Sequence, residues 1–214
     1  MKNKFLKVIL ISMLCLNFFK LAIAEEFIFK VSEIEVSDNG NTYKGINKGK
    51  ITTPAGMEII SDNFKYLKDI NQLEVYGNAQ VIDVTNDIEL NAKKIFYLKN
   101  EEIIYTVGKT IIKISNKYYI EGHDLKLFRN KMIISSLKET IIKDTFTNVY
   151  KVNEFEYLID QEILKGKKIE ATTINDKDDN DKYFFGDGFF DLKKNEFLAK
   201  DVEVLFHKKL FNNN

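Results

Sequence analysis

Residues 63–77 read NFKYLKDINQLEVYG. Phe64 and Tyr66 flank Lys65, and Leu73 and Val75 flank Glu74. Apolar and polar residues alternating at period two, rich in aromatic and β-branched types, mark a half-buried strand. The Asp and Asn between the two arms suit a hairpin turn. The stretch therefore predicts strand, turn, strand, leading into Gly77-Asn78.

The unit repeats. An apolar-x-apolar-x-x-Asn pattern, with Asp as its variant, occurs at Ile34/Val36/Asn39, Phe64/Tyr66/Asp69 and Ile95/Tyr97/Asn100. It recurs at Leu125/Leu127/Asn130, Phe155/Tyr157/Asp160 and Phe190/Leu192/Asn195. The start-to-start spacings are 30, 31, 30, 30 and 35. Four residues after each Asn or Asp stands Tyr43, Leu73, Ile104, Ile134, Leu164 or Ala199. Five residues before each unit from the second onward stands Ile59, Leu90, Ile120, Tyr150 or Phe185. Self-similarity at such a period means one supersecondary unit used repeatedly. The polar run 175–182 (NDKDDNDK) explains the long last spacing and reads as a loop insertion. Its carboxylates lack the Gly and closing Glu of an EF-hand, which argues against calcium.

Six units of two or more strands each give an antiparallel sheet of about a dozen strands, which must curl or fold on itself. Helical periodicity is absent apart from ambiguous runs such as 152–158, and the single Pro54 leaves extended pairing free almost everywhere. The expected class is all-β, an antiparallel, repeat-built open jelly roll. By alternation its inner face holds Ile59, Phe64, Tyr66, Leu73, Val75, Val81, Ile95, Tyr97, Ile104, Ile112, Ile120, Leu125, Leu127 and Ile134. Lys65, Glu74, Lys94, Lys113, Lys126 and Glu156 face outward. The inner residues are either a packed core or the lining of an apolar groove that accepts a lipid. A register slip of one residue would exchange the two faces.

Composition narrows the chemistry. The 214 residues are 44% hydrophobic and 30% charged, a foldable chain. Lys+Arg and Asp+Glu are 32 each, without the basic excess of a nucleic-acid binder. Two His and one Cys leave almost no ligands for a transition metal and no disulfide framework. His123 and His207 lie far apart in sequence with no evident orienting partner, so neither predicts catalysis. Gly186-Asp187-Gly188 reads as a tight turn or bulge. Lys208-Lys209 reads as a solvated terminus. No catalytic residue, metal or cofactor is expected, and an enzyme is the least favoured class.

Residues 1–24 have the grammar of a secretory signal peptide. Lys2, Lys4 and Lys7 precede the nine-residue apolar stretch 8–16, and Ala22-Ile23-Ala24 supplies a small-x-small cleavage signal. Asn17 and Lys20 interrupt the run, which disfavours a spanning anchor of roughly 20 apolar residues. Cys15 lacks the small residue expected before a lipidated Cys. Cleavage after Ala24 would leave 190 residues and no Cys; losing four Lys leaves 28 basic against 32 acidic residues, a net charge of −4. Such an exported chain would depend on its hydrophobic core rather than disulfides.

These units resemble the OstA-like family of lipopolysaccharide-transport jelly rolls. The resemblance rests on Ser61-Asp62, Tyr66 and Gly77-Asn78-Ala79 in the second unit, Asn91-Ala92, Tyr97 and Gly108 in the third, and 121–124 with Leu127 in the fourth. It covers roughly residues 27–206; the Gly-Asn signature is lost at Ser136-Leu137 and Lys167-Lys168. Within the family the chain is most similar to the periplasmic N-terminal domains of outer-membrane assembly members, whose β-barrel would follow a tail like 207–214. The resemblance implies a V-shaped roll over residues 25–206 that shields acyl chains, in the periplasm at the outer membrane of a Gram-negative bacterium. It implies lipopolysaccharide as ligand and other OstA-like jelly rolls as edge-to-edge partners, with the first strand, 27–36, as the docking edge. An outer-membrane β-barrel is implied if the full-length protein continues. A free periplasmic bridge protein of the same family, and a structural β-repeat protein with a closed core, are the alternatives.

Overall fold

A computed structural model describes residues 27–145, 148–173 and 180–206. The expected signal peptide, His207, Lys208-Lys209 and most of the acidic run lie outside the described residues. Within them the chain forms sixteen strands in one antiparallel sheet. In order these are β1 (Ile28–Ser37), β2 (Thr42–Thr52), β3 (Glu58–Ser61), β4 (Asn63–Leu67), β5 (Gln72–Asp83), β6 (Ile88–Leu98), β7 (Ile103–Ile114) and β8 (Tyr118–His123). There follow β9 (Lys126–Phe128), β10 (Ile133–Ser136), β11 (Thr140–Asp144), β12 (Val149–Leu158), β13 (Ile163–Thr173), β14 (Asp181–Asp191), β15 (Glu196–Lys200) and β16 (Glu203–Leu205). Four consecutive pairs, β3/β4, β8/β9, β10/β11 and β15/β16, are halves of one span each. The sheet is thus twelve spans wide, the dozen expected from the repeat.

A crease runs across all twelve spans. It passes through Asn47 and Lys48 of β2, Asp62, the Gly77-Asn78 irregularity of β5, Gly108, Asp124, Glu154, Lys168 and Asp201. Every one of these except Asp62 has a positive φ. One extra residue in one strand bends it sharply and raises its twist, so a column of such residues folds the sheet over. Gly77 shows the local chemistry: its φ is +77°, and a Cβ there would stand 2.8 Å from the Asp62 carboxylate. The Asp62 amide donates to the Gly77 carbonyl at 2.8 Å, and the Asn78 side-chain amide donates to the Asp62 carboxylate at 2.8 Å. At the next such position the Asp124 amide donates to the Gly108 carbonyl at 3.1 Å, and the Gly108 amide donates to the Asp124 carboxylate at 2.7 Å.

The crease divides the sheet into two leaves, each with an inner row of one residue per span. In the first leaf the directly paired row runs Val36, Tyr43, Tyr66, Leu73, Tyr97, Ile104, Leu127, Ile134, Tyr157, Leu164, Phe190, Phe197. In the second it runs Phe29, Ile51, Ile59, Val81, Leu90, Ile112, Ile120, Ile142, Tyr150, Ala171, Tyr183, Val204. The leaves meet face to face. Phe29 stacks on Phe64 with centroids 5.0 Å apart, and Tyr118 lies 5.3 Å from Tyr157. The architecture is the antiparallel jelly-roll type expected.

The first leaf ends in six hairpin tips that form their own ladder. The Lys68 amide donates to Asn41, Lys99 to Asn71, Arg129 to Glu102, Ile159 to Met132 and Leu192 to Glu162, all at 2.9–3.1 Å. Each tip has a left-handed residue: Asn39, Asn71, Glu102, Met132, Glu162 and Asn195. The turns stand where the repeat put them, but Asp69, Asn100, Asn130 and Asp160 are not the left-handed positions, which fall two residues later. The last unit is also out of step by two. Phe190, not Leu192, continues the row begun by Tyr66, so the true spacing from Tyr157 is 33 and not the 35 read from the pattern. Asp181 and Lys182, read as loop, begin β14. Gly186-Asp187-Gly188 is no turn: it lies inside β14 at the crease, where the buried side switches from Phe185 to Phe190. Residues 152–158, helix-ambiguous in sequence, are strand β12.

Candidate functional site

All fourteen residues assigned to the inner face are buried, none more than 8% exposed. Phe64, Tyr66, Leu73, Val75, Ile95, Tyr97, Ile104, Leu127 and Ile134 belong to the first leaf. Ile59, Val81, Ile112 and Ile120 belong to the second, and Leu125 sits at the crease between β8 and β9. They pack on one another and on the facing leaf. Between residues 59 and 134 the interior is therefore filled by side chains. At about 25 cal/mol per Å2 this apolar burial dominates the stability of a chain without disulfides.

Opposite the crease the tips of the two leaves face each other across a mouth. Its N-terminal end is covered by Phe27, whose ring lies 4.9 Å from Tyr66 and 6.0 Å from Tyr97, with the Lys99 ammonium over it at 5.5 Å. Further along, Arg129 at a tip of the first leaf donates to Asp83 at a tip of the second, at 2.8 and 3.0 Å. It also donates to Glu102, which accepts the Tyr97 hydroxyl at 2.8 Å. Burial works against ionising Tyr97, and the Glu102 carboxylate adds to this, so the phenol is pushed far above its ordinary pKa. A third contact joins Glu162 of the first leaf to Lys117 and the Tyr118 hydroxyl of the second, both at 2.9 Å. The Lys117 ammonium holds the Glu162 carboxyl below its usual range.

A cleft of about 230 Å3 opens between Asn148, Tyr150, Ala171, Tyr183 and Phe185 of the second leaf and Phe190, Asn195 and Phe197 of the first. Its walls are aromatic: Phe185 lies 5.2 Å from Phe190 and 5.3 Å from Phe197, and Tyr150 lies 6.1 Å from Phe190. Burial pushes the Tyr150 hydroxyl up to about 12, with Asp144 adding to the shift. None of these residues is among the fourteen. The repeat does register Tyr150, Phe185 and Phe190, yet the inner face assigned by alternation ends at Ile134. A larger depression of about 500 Å3 lies outside the first leaf around Phe189 and Leu198. It is rimmed by charges such as the Lys167–Glu154 pair and is separate from the interior.

His123 is exposed on the crease, where its carbonyl accepts the Ser136 hydroxyl at 3.1 Å. No cluster of three His, Cys, Asp or Glu suited to a metal occurs among the described residues. No described helix is long and apolar enough to cross a membrane.

No family model and no curated protein matches the sequence. Among solved structures, the chain is similar to LptH, the LptA homologous periplasmic component of the conserved lipopolysaccharide transport device from Pseudomonas aeruginosa. The identity is 9% and the TM-score 0.44, over 71% of this chain and 96% of that one. A likeness of that size carries no inference about function.

Proposed function

We propose that this chain is a non-enzymatic lipid-handling module that shields acyl chains between its two leaves. The observation that carries the reading is the open aromatic cleft at the C-terminal end, continuous with the two inner rows. Each methylene moved from water into such a site gains about 0.8 kcal/mol, so several of them bind without any catalytic group. A space of about 230 Å3 takes part of one chain, not a whole glycolipid. The sugar and phosphate portion would stay in water.

The leader-like N-terminus and the repeat's resemblance to lipopolysaccharide-transport jelly rolls make lipopolysaccharide the proposed ligand and the periplasm, at the outer membrane, the proposed location. Both ends of the sheet are edges. β1 pairs only with β2 among the described strands and exposes Ile28, Ile34 and Val36. β15 and β16 each pair only with β14 among the described strands and expose Phe197, Leu198 and Leu205. Unpaired edges accept added strands, which supports jelly-roll partners joined edge to edge. The role of an N-terminal domain preceding an outer-membrane barrel is the preferred assignment; the free bridge protein is the alternative within the same function.

The filled interior between residues 59 and 134 favours a second reading, a structural repeat with a closed core. Photo-crosslinking in cells separates the two. Probes at Phe190, Tyr183, Phe64, Tyr97 and Leu127 face inward, and probes at Lys65 and Lys126 face outward. Lipopolysaccharide adducts at Phe190 and Tyr183 and none at the outward pair are expected. A folded protein without inward adducts would leave only the structural reading.

A further inference from the structure

The chain has a single arginine, and it stands where the two leaves are tied together. Every other basic residue is Lys. The Arg129 side chain is only 9% exposed and that of Asp83 only 2%. Lys-to-carboxylate pairs elsewhere among the described residues are more open, with lysines 40%, 36% and 67% exposed in Lys50–Glu58, Lys94–Glu74 and Lys194–Asp191. The planar guanidinium fork can serve two carboxylates at once, which a point-charge ammonium does less well. Arg129 uses it for one carboxylate of each leaf: Glu102 on its own side and Asp83 across the mouth.

A buried ion pair is a poor permanent rivet. Its attraction barely exceeds the cost of taking both charges out of water, and that cost is recovered when both are rehydrated. Apolar contacts of equal area regain nothing on parting. The pair is therefore specific when closed and readily released as a unit, while loss of one partner alone strands a buried charge.

We propose that Arg129 is a latch: its buried contact with Asp83, backed by the more exposed Glu162 contact with Lys117 and Tyr118 nearer the cleft, holds the mouth shut over the filled part of the interior, and an acyl chain passes from the C-terminal cleft toward the inner rows only when the latch opens. This rests on the lipid-handling reading above. The latch itself is a property of the empty protein and is measured without lipid.

Spin labels attached through V84C and N130C in a C15S background, on exposed tips of opposite leaves, report the width of the mouth by pulsed electron resonance. In the otherwise native protein one narrow distance distribution is expected. In R129A it broadens and moves to longer distance; D83N, which keeps the shape of the carboxylate, does the same to a smaller degree. Circular dichroism confirms that each variant is folded, and D83N alone decides if R129A is not. Distributions that superimpose on the parent would overturn the latch. Uptake of a lipid A carrying a fluorescent acyl chain then tests its consequence. R129A should load at least tenfold faster, and joining V84C to N130C with a short bis-maleimide should suppress loading. Equal loading rates in R129A and parent would overturn the gating role. No loading in any variant, with the mouth still widening, would overturn the lipid reading and leave the latch in place.

Discussion

Replacing Ile104 with Ala measures how completely the N-terminal two-thirds of the interior is filled. Ile104 is 0% exposed and sits in the first leaf's inner row, paired with Tyr97 on one side and Leu127 on the other. The change removes three carbons. Transfer alone predicts about 2.4 kcal/mol at ~0.8 kcal/mol per methylene. The cavity term raises the total to roughly 3–4 kcal/mol, because flanking strands held in register collapse little. For a chain of this size that is a fall in Tm of about 6–16 °C. Urea unfolding followed by circular dichroism gives the value, with Lys126→Ala as the outward control, expected to stay within about 0.5 kcal/mol. A loss below about 1 kcal/mol for Ile104→Ala would refute the reasoning. It would mean that the row borders free space rather than facing side chains, and that the interior is open along its whole length.

Gly45 lies directly opposite Phe64, whose ring occupies the place of a Cβ there. Gly45→Ala should therefore cost about 1–3 kcal/mol by overpacking, and adding Phe64→Leu should restore part of it; strictly additive losses in chemical denaturation would show that the ring does not rest on the glycine. Glu162 has its pKa depressed, so its contribution is complete above the ordinary value of 4.5 and fades as acid carries it through its lower folded pKa. Wild type should exceed Glu162→Gln in stability at neutral pH, and the gap should close below pH 4; a gap unchanged down to pH 3 would contradict the Lys117 contact. In an ultraviolet titration Tyr97, Tyr118 and Tyr157, all raised well beyond the usual phenol range by burial first of all, should stay protonated past pH 11 until the fold is lost. Complete ionisation of all ten tyrosines by pH 11 in folded protein would show that these rings are wet.

The sheet and its inner face were legible because period-two alternation and a repeat of about 30 residues are local and redundant. An error at one unit is corrected by the next. The crease was legible only in part: Gly77-Asn78 and Gly108 are types that favour a left-handed backbone, but Lys48, Glu154 and Lys168 do not announce one, and tertiary pairing imposes it on them. The tips misled for the same reason. Asn100 and Asp160 are better turn formers than Glu102 and Glu162, yet the left-handed residue is set by the backbone ladder from tip to tip. Neither the cleft nor the Arg129–Asp83 contact has a local signal. Both arise from folding one leaf onto the other, which brings residues 46 positions apart to hydrogen-bonding distance.

The two paired rows also make the protein a ruler. Neighbouring spans lie about 4.8 Å apart, so twelve of them run roughly 50 Å from the β1 edge to the β15 edge. One further unit of some 30 residues brings its own crease, its own tip and two more residues for each inner row. It would lengthen the molecule by about 10 Å while leaving its cross-section unchanged. The distance between the two ends is thus written in the number of units, and duplication or loss of a single unit resets it in one step.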